Sequence, residues 1–304
     1  MPELPEVEAA RALIAERALG RLIVRVDDAD TYVCRPHLPG DIAAALTGRT
    51  LTAAHRIGKS MWLATDGGDG PALGLHLGMA GRMVVVAGEV APAIARVGDP
   101  ISAARVRTTA VTAYAGDPMS ETEIRAAVGG EHPDPTRTGN PAWSRFTLDF
   151  QDGGALVLFD KRRLGRAVLN PDLTHLGPDA LLIGKRDFRT RVGSGGAPLK
   201  ARIMDQSVLA GVGNLLADEL LWQARSAPLR PAGTLGEDDL DTLWRAMRRA
   251  TRAAIKAGGV HHGRIIAHRR RGGTCPRCGG EMVKAAVGGR TTWWCAAEQS
   301  WPPA

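Results

Sequence analysis

The sequence predicts an α+β chain of several domains: an N-terminal β-sandwich with flanking helices, then a helical domain, then a C-terminal β-hairpin that carries cysteines. Short β-branched segments separated by Gly, Pro and Asp fill the first half. Two helical stretches meet at a tight turn, Gly211-Val212-Gly213, in the second. Three of the 4 cysteines, Cys275, Cys278 and Cys295, lie close together near the C-terminus, with Cys34 far away. A chain of 304 residues with 44% hydrophobic content can bury more than one core. The expected limits are 1–178 for the sandwich domain, 179–195 for a linker, 196–262 for the helical domain and 263–304 for the finger.

In chain order, Val7, Ala10, Leu13, Ile14 and Leu19 recur at helical spacing behind Pro5 and predict a first helix. Residues 22–26, 50–53 and 61–64 read as strands, with a helix over 41–46 between the first two. Gly74 through Met83 reads as an apolar strand closed by glycines where the backbone turns tightly. Residues 87–142 are rich in Ala, Gly, Thr and Pro and predict an insertion, partly disordered, with a short helix over 120–128 opened by a capping box of Ser120 and Glu123. Strands resume at 146–150 and 155–159 around the turn Asp152-Gly153-Gly154, a β-hairpin. Residues 199–209 predict one helix, and a second starts after the glycines with Asn214 at its N-cap. A long helix over 238–257 turns Leu240, Leu243, Trp244, Met247 and Ala250 inward and stops at Gly258-Gly259.

Charge is unevenly spread. The net charge is +7; residues 1–195 hold 23 Lys+Arg and 23 Asp+Glu, and residues 196–304 hold 16 against 9. A basic C-terminal part on a neutral N-terminal part is the pattern of a polyanion binder, nucleic acid above all. No apolar run of 18 residues and no signal-peptide pattern occurs, so the expectation is a cytoplasmic protein with no membrane partner. Four cysteines are too few for a disulfide framework.

The most chemically loaded stretch is Met1-Pro2-Glu3-Leu4-Pro5-Glu6-Val7-Glu8. Removal of Met1 exposes Pro2 as a secondary amine, and an α-amino group titrates near 7.7–8.0 against about 10.4 for lysine. Roughly one such amine in ten is therefore free at neutral pH, a usable nucleophile. The positive end of the following helix favours the neutral form, and Glu3 and Glu6 stand ready to give, take or orient a proton. At the other end, Cys275-x2-Cys278-x16-Cys295-x2-Glu298 has zinc-ribbon spacing with the fourth cysteine replaced. One structural Zn²⁺ is expected on Cys275, Cys278, Cys295 and Glu298. A histidine (His261, His262 or His268), a water, or a metal-free ribbon held by Trp293, Trp294 and Trp301 are the alternatives at the fourth position.

The first eight residues resemble the N-terminus of the formamidopyrimidine-DNA glycosylase and endonuclease VIII family. The resemblance extends through His55-Arg56-Ile57-Gly58-Lys59-Ser60, Gly74 to Met83, Asp160 to Gly165, the segment Asp205 to Asn214, which is similar to that family's helix-two-turn-helix signature, and Arg290 in the ribbon hairpin. It implies base-excision repair. Pro2 would attack the sugar C1′ of a damaged nucleotide to form an iminium, Glu3 would protonate the leaving base or ring oxygen, and Lys59 would contact phosphate and assist β-elimination. Met79 would enter the gap left by the everted nucleotide, Arg162 would pair with the orphaned base, and Leu164 stands where many members carry a phenylalanine wedge. Asn214 and Arg290 would hold DNA phosphates, Arg290 at the edge of the catalytic group.

On this resemblance the chain is a monomeric bifunctional DNA glycosylase and AP lyase acting on double-stranded DNA that contains damaged bases or abasic sites, nicking it by β (and δ) elimination. Two other classes compete: a damaged-DNA-binding protein of the same fold without catalysis, and a tautomerase using N-terminal proline as a base. The lesion cues conflict. The N-terminus resembles the purine-oxidation branch, whereas only residues 258–263 separate the last long helix from the ribbon, too short for that branch's closing loop.

Overall fold

The structure, a computed structural model, describes residues 2–88, 113–116 and 143–302, with backbone alone for 113–116. The helix expected over 120–128, like most of the 87–142 insertion, lies outside the described residues. The chain divides into two compact units: Met1–Ala9, Arg56–Met61 and Asp172–Ala304 form one, and Ala10–His55 with Trp62–Pro171 forms the other. The first nine residues and a hairpin tip therefore belong with the C-terminal part of the sequence.

Among the described residues, two sheets form in the sandwich unit, the tip of one hairpin (Arg56–Met61) being counted with the other unit. One runs in the order β1 (Ile23–Asp27), β7 (Ser144–Phe150), β8 (Ala155–Phe159), β5 (Arg82–Val86) and β6 (Ala113–Gly116). The other runs β2 (Leu51–Ile57), β3 (Ser60–Thr65), β4 (Leu73–His76) and β9 (Arg166–Leu169). The hairpin expected at 146–159 forms as β7 and β8, with Thr147 opposite Val157 and Leu148 opposite Leu156. Strand β3 alternates, burying Met61, Leu63 and Thr65, while β5 and β8 are buried on both faces. Helices α1 (Leu4–Arg17) and α2 (Asp41–Leu46) flank the sheets in sequence, as the apolar spacing predicted. The glycine-closed segment 74–83 is two elements, β4 and the start of β5, with the loop 77–81 between them.

The other unit is helical with a ribbon. Helix α3 (Lys185–Val192) lies inside the stretch expected to be a linker; its only apolar side chains, Phe188 and Val192, sit one turn apart and are both buried. Helix α4 (Leu199–Met204) is shorter than the predicted 199–209. Asp205 ends it, because its Oδ1 accepts from Ser207 N at 2.9 Å and from the Ser207 hydroxyl at 2.7 Å, a local turn that competes with further helix. Helix α5 (Asn214–Gln223) and helix α6 (Glu237–Ala257) pack on α3 and α4 around Leu4, Phe188, Leu199, Ile203, Leu216, Leu220, Leu243 and Met247. Helix α6 keeps its arginines off that face and ends at Gly258 in the left-handed region, as predicted. The ribbon pairs β10 (Met282–Val287) with β11 (Arg290–Cys295) across Gly288-Gly289. Both glycines have positive φ, which a two-residue turn of this kind requires.

Candidate active site and metal centre

Six of the residues singled out in the sequence, Pro2, Glu3, Glu6, Lys59, Asn214 and Arg290, belong to the helical unit. Glu3 is the N-cap of α1 and is 1% exposed. Its own N–H donates to Glu6 Oε2 at 2.9 Å, the reciprocal half of a capping box, since Glu6 is the third residue of the helix. The other Glu6 oxygen accepts Val260 N at 2.6 Å. Glu6 thus ties the N-terminus to the short turn that follows α6, and both its oxygens hold backbone.

The Glu3 carboxylate faces a second helix. Oε1 accepts Leu215 N at 2.8 Å, and Oε2 accepts Gly213 N and Leu216 N, each at 3.0 Å. Glu3 is therefore the cap of α5, a role the sequence assigned to Asn214. Asn214 instead begins the helix behind Gly213, and its Oδ1 accepts from Lys200 Nζ at 2.7 Å. Glycine is required at 213 by this contact, because a Cβ there would lie 2.3 Å from Glu3 Cδ. Burial pushes the Glu3 carboxyl above its ordinary value, against the pull of Lys59 and of the Leu215 and Leu216 N–H groups.

Lys59 sits on the β2–β3 turn. Gly58 N donates to Asp179 Oδ2 at 2.7 Å, and Arg56 bridges Asp179 at 2.5 Å and Glu8 at 2.8 Å, so the tip is locked on both sides. Gly58 has φ +57°, and a Cβ there would meet Ala210 Cβ at 2.7 Å, which makes it the one residue type that fits. Burial lowers the Lys59 pKa and the Arg290 charge lowers it further, while Glu3 and Glu6 raise it. Lys59 is thus in electrostatic reach of Glu3, Glu6 and Arg290.

Beneath them is a group that the sequence reading missed. Lys200 is fully buried and donates to Asp218 Oδ1 at 2.6 Å, Asn214 Oδ1 at 2.7 Å, Thr292 Oγ1 at 2.9 Å and the Thr291 carbonyl at 3.3 Å. Asp218 Oδ2 accepts Arg269 Nε at 2.9 Å and Trp293 N at 3.1 Å. One buried ion pair therefore joins α4, α5 and the hairpin strand next to Arg290. Burial raises the Asp218 pKa, and its partner cations oppose that.

The sandwich unit holds Met79, Arg162 and Leu164 on two adjoining loops. Asp160 is fully buried and folds its loop by accepting Arg162 N at 2.9 Å and Leu164 N and Gly165 N at 2.7 Å. Gly78 has φ +58° and no room for a Cβ, which would lie 2.4 Å from the Leu164 carbonyl. Met79 at 39% and Leu164 at 37% exposure are apolar side chains left in the open beside exposed Arg162.

In the ribbon, one ligand atom from each of Cys275, Cys278, Cys295 and Glu298 lies within 4.8 Å of the others. Cys278 and Cys295 Sγ are 3.4 Å apart, and Glu298 Oε2 is 3.7 Å from Cys275 Sγ. Three thiols and a carboxylate in that space fit a four-coordinate metal, and the cluster includes none of the histidines considered for the fourth place.

At this level the class is defined: a helix-two-turn-helix protein with an N-terminal sandwich and a cysteine ribbon. The sequence model of the formamidopyrimidine-DNA glycosylase N-terminal domain matches residues 1–167, and that of the formamidopyrimidine-DNA glycosylase H2TH domain matches residues 176–264. A formamidopyrimidine-DNA glycosylase of Nocardioides sp. is 32% identical over 321 residues, 99% of this chain and 95% of that protein. One from Roseiflexus sp. is 29% identical over 97% of this chain and 98% of its own length. Among solved structures, a Lactococcus lactis formamidopyrimidine-DNA glycosylase non-covalently bound to DNA containing an AP site shares the fold, with a TM-score of 0.72, 24% identity and coverage of 98% and 99%. The chain belongs to the formamidopyrimidine-DNA glycosylase family. Among the described residues no helix is long and apolar enough to cross a membrane.

Proposed function

We propose that this chain is a cytoplasmic, monomeric bifunctional DNA glycosylase and AP lyase of base-excision repair, acting on double-stranded DNA with oxidised bases or abasic sites. On this reading residues 1–178 are its catalytic domain, 196–262 the helix-two-turn-helix domain and 263–304 a finger that holds one structural Zn²⁺ on Cys275, Cys278, Cys295 and Glu298. The observation that carries the reading is Glu3: a buried carboxyl with a raised pKa, next to the N-terminal Pro2, capping α5 and within reach of Lys59.

The steps follow from those groups. With Met1 removed, the Pro2 nitrogen attacks C1′, the C1′–base bond breaks, and a carboxylic acid at Glu3 gives its proton to the departing base or the ring oxygen. A raised pKa suits a proton donor at neutral pH. The Pro2 nitrogen gives up its proton, the C1′–O4′ ring bond breaks as O4′ takes one, and Pro2 and C1′ are left joined as an iminium, which acidifies the C2′ hydrogen; its removal expels the 3′ phosphate, and a second elimination expels the 5′ phosphate. Lys59, with its lowered pKa, assists elimination and contacts phosphate. Asn214 and Arg290 hold the backbone on either side, both positioned by Lys200 and its neighbours. Glu6 acts by fixing the Glu3 backbone. Met79 enters the gap left by the everted nucleotide, Arg162 pairs with the orphaned base, and Leu164 stands at the wedge position beside it. The turn after α6 is anchored by the Val260 bond to Glu6, and the few residues of the 258–263 connection favour oxidised pyrimidines, abasic sites or ring-opened purines as substrates, whereas the N-terminus resembles the purine-oxidation branch.

The test is strand scission on duplexes carrying one defined lesion or one abasic site. The expected result is product from both. Binding without scission favours the inactive DNA-binding reading, and neither binding nor scission favours a tautomerase. The order of rates across a lesion panel assigns the substrate.

A further inference from the structure

The cysteine ribbon of this chain has carboxylate where its fourth thiolate is expected, and helix α5 meets it with two unusual contacts. Trp222, 1% exposed in the last turn of α5, donates from Nε1 to Cys275 Sγ at 3.2 Å. Arg277, between the first two cysteines, donates from Nε to Glu298 Oε2 at 2.7 Å and from Nη2 to the Trp222 carbonyl at 2.6 Å. Its guanidinium also lies 4.4 Å from the centre of the Trp222 ring. Two further tethers come from the same stretch: Arg225 lies 3.7 Å from Glu298 Oε1, and Gln299 joins Cys295 N at 2.9 Å to the Ser226 carbonyl at 3.0 Å. Trp222, Ile265, Cys275, Met282 and Cys295 share one buried cluster.

We propose that Trp222 and Arg277 are the outer-sphere positioning residues of a three-cysteine, one-glutamate metal centre. This rests on the zinc reading above. Three thiolates and a carboxylate bring four negative charges to a divalent ion, an excess of two. An N–H to sulfur bond and a guanidinium next to the carboxylate reduce the repulsion among those ligands. Arg277 also fixes the Glu298 side chain where its oxygen meets the thiols, which an unpaired glutamate on a ribbon edge would not be. Outer-shell partners of metal ligands are generally worth about 10–100-fold in metal affinity. Since Arg277 grips the Trp222 carbonyl as well, the centre is fastened to the far end of the helix whose first turn Glu3 caps.

The experiment uses the full chain, purified with zinc, and follows transfer of the metal to a chelating dye for the parent, Trp222→Phe, Arg277→Lys and Arg277→Gln. The same proteins loaded with cobalt report the thiolate-to-cobalt charge-transfer band. Trp222→Phe keeps an aromatic ring but removes the donor, and should weaken retention about 10–100-fold and move the band to longer wavelength. Arg277→Gln should weaken it comparably, with Arg277→Lys recovering part of the loss. The band is read on the protein that binds cobalt, so a less stable fold does not imitate its shift. A parent with one zinc whose Trp222→Phe and Arg277→Gln variants hold it equally tightly, with the band unmoved, overturns the outer-sphere assignment alone. Tighter binding in Arg277→Gln also overturns it, since Arg277 would then compete with the metal for Glu298. A parent that binds no metal overturns the zinc reading and this inference together.

Discussion

The two groups of residues with a part in the proposed chemistry are built in opposite ways. In the helical unit, Glu3 and the Lys200–Asp218 pair are buried and held by several hydrogen bonds, and Lys59 is half-buried among the charges of Glu3, Glu6 and Arg290. In the sandwich unit, Met79, Arg162 and Leu164 stand exposed on loops, and what is buried is the support beneath them, Asp160 and the tight approach of Gly78. Shifted proton affinities need burial and fixed partners. A side chain that fills a gap in a base stack needs exposure on a rigid base, because its partner arrives with the DNA. Stability and binding should therefore separate cleanly between the two groups.

The largest effect is expected at the buried ion pair. Lys200→Met strips Asp218 Oδ1 of its partner and leaves only Arg269 and Trp293 N on Oδ2; it should cost about 3–5 kcal/mol of unfolding free energy, measured by urea titration. A loss below 1 kcal/mol would mean that Arg269 alone satisfies the carboxylate. Next is Glu3→Gln, which should lower base excision by about 10²–10⁴-fold. Scission at a preformed abasic site should fall far less. Glu3 has a raised pKa, so from its ordinary 4.5 up to that raised value the folded protein keeps a proton that the unfolded chain releases. Stability accordingly falls as pH rises through that window, and above it excision declines as the proton donor is lost. Glu3→Gln should remove both trends; a parent pH profile without the alkaline decline would take the donor role from Glu3.

The loop substitutions should do the reverse. Met79→Ala and Leu164→Ala should leave unfolding within about 0.5 kcal/mol of the parent, while each weakens binding to abasic duplex by about 1–2 kcal/mol through the apolar surface it no longer buries in the gap. Equal binding would remove that loop from the interface. The smallest change belongs to Arg290→Ala, which should reduce the slope of log K against log salt by about 0.9, with lesion preference unchanged.

Much of this division was legible in the sequence, and the remainder was hidden for identifiable reasons. Helix and strand positions followed from apolar spacing, and the ribbon from its cysteines. Glu3 was recognisable beside Pro2, yet its capping of α5 was not, because the N–H groups it binds lie more than 200 residues away. Asn214 looked like a cap by type and place, but Lys200 occupies its side-chain oxygen. Lys200 itself has no local signal: a lysine at the start of a short helix is usually solvated, and only the fold reveals that Asp218 and Thr292 converge on it. Helix α3 was missed since two apolar residues in eight give too little periodicity, and α4 was overextended because the Asp205–Ser207 turn outweighs the apolar pattern that runs on to Leu209.

The central claim is that the N-terminal amine is the nucleophile. Borohydride reduction in the presence of abasic duplex measures it most directly, because a secondary amine at C1′ must pass through a reducible iminium. The parent should be captured as a covalent protein–DNA species, Pro2→Gly should be captured poorly, and a variant that retains a blocking residue before Pro2 should not be captured at all. Undiminished capture by the blocked variant would assign the attack to a lysine and contradict the account.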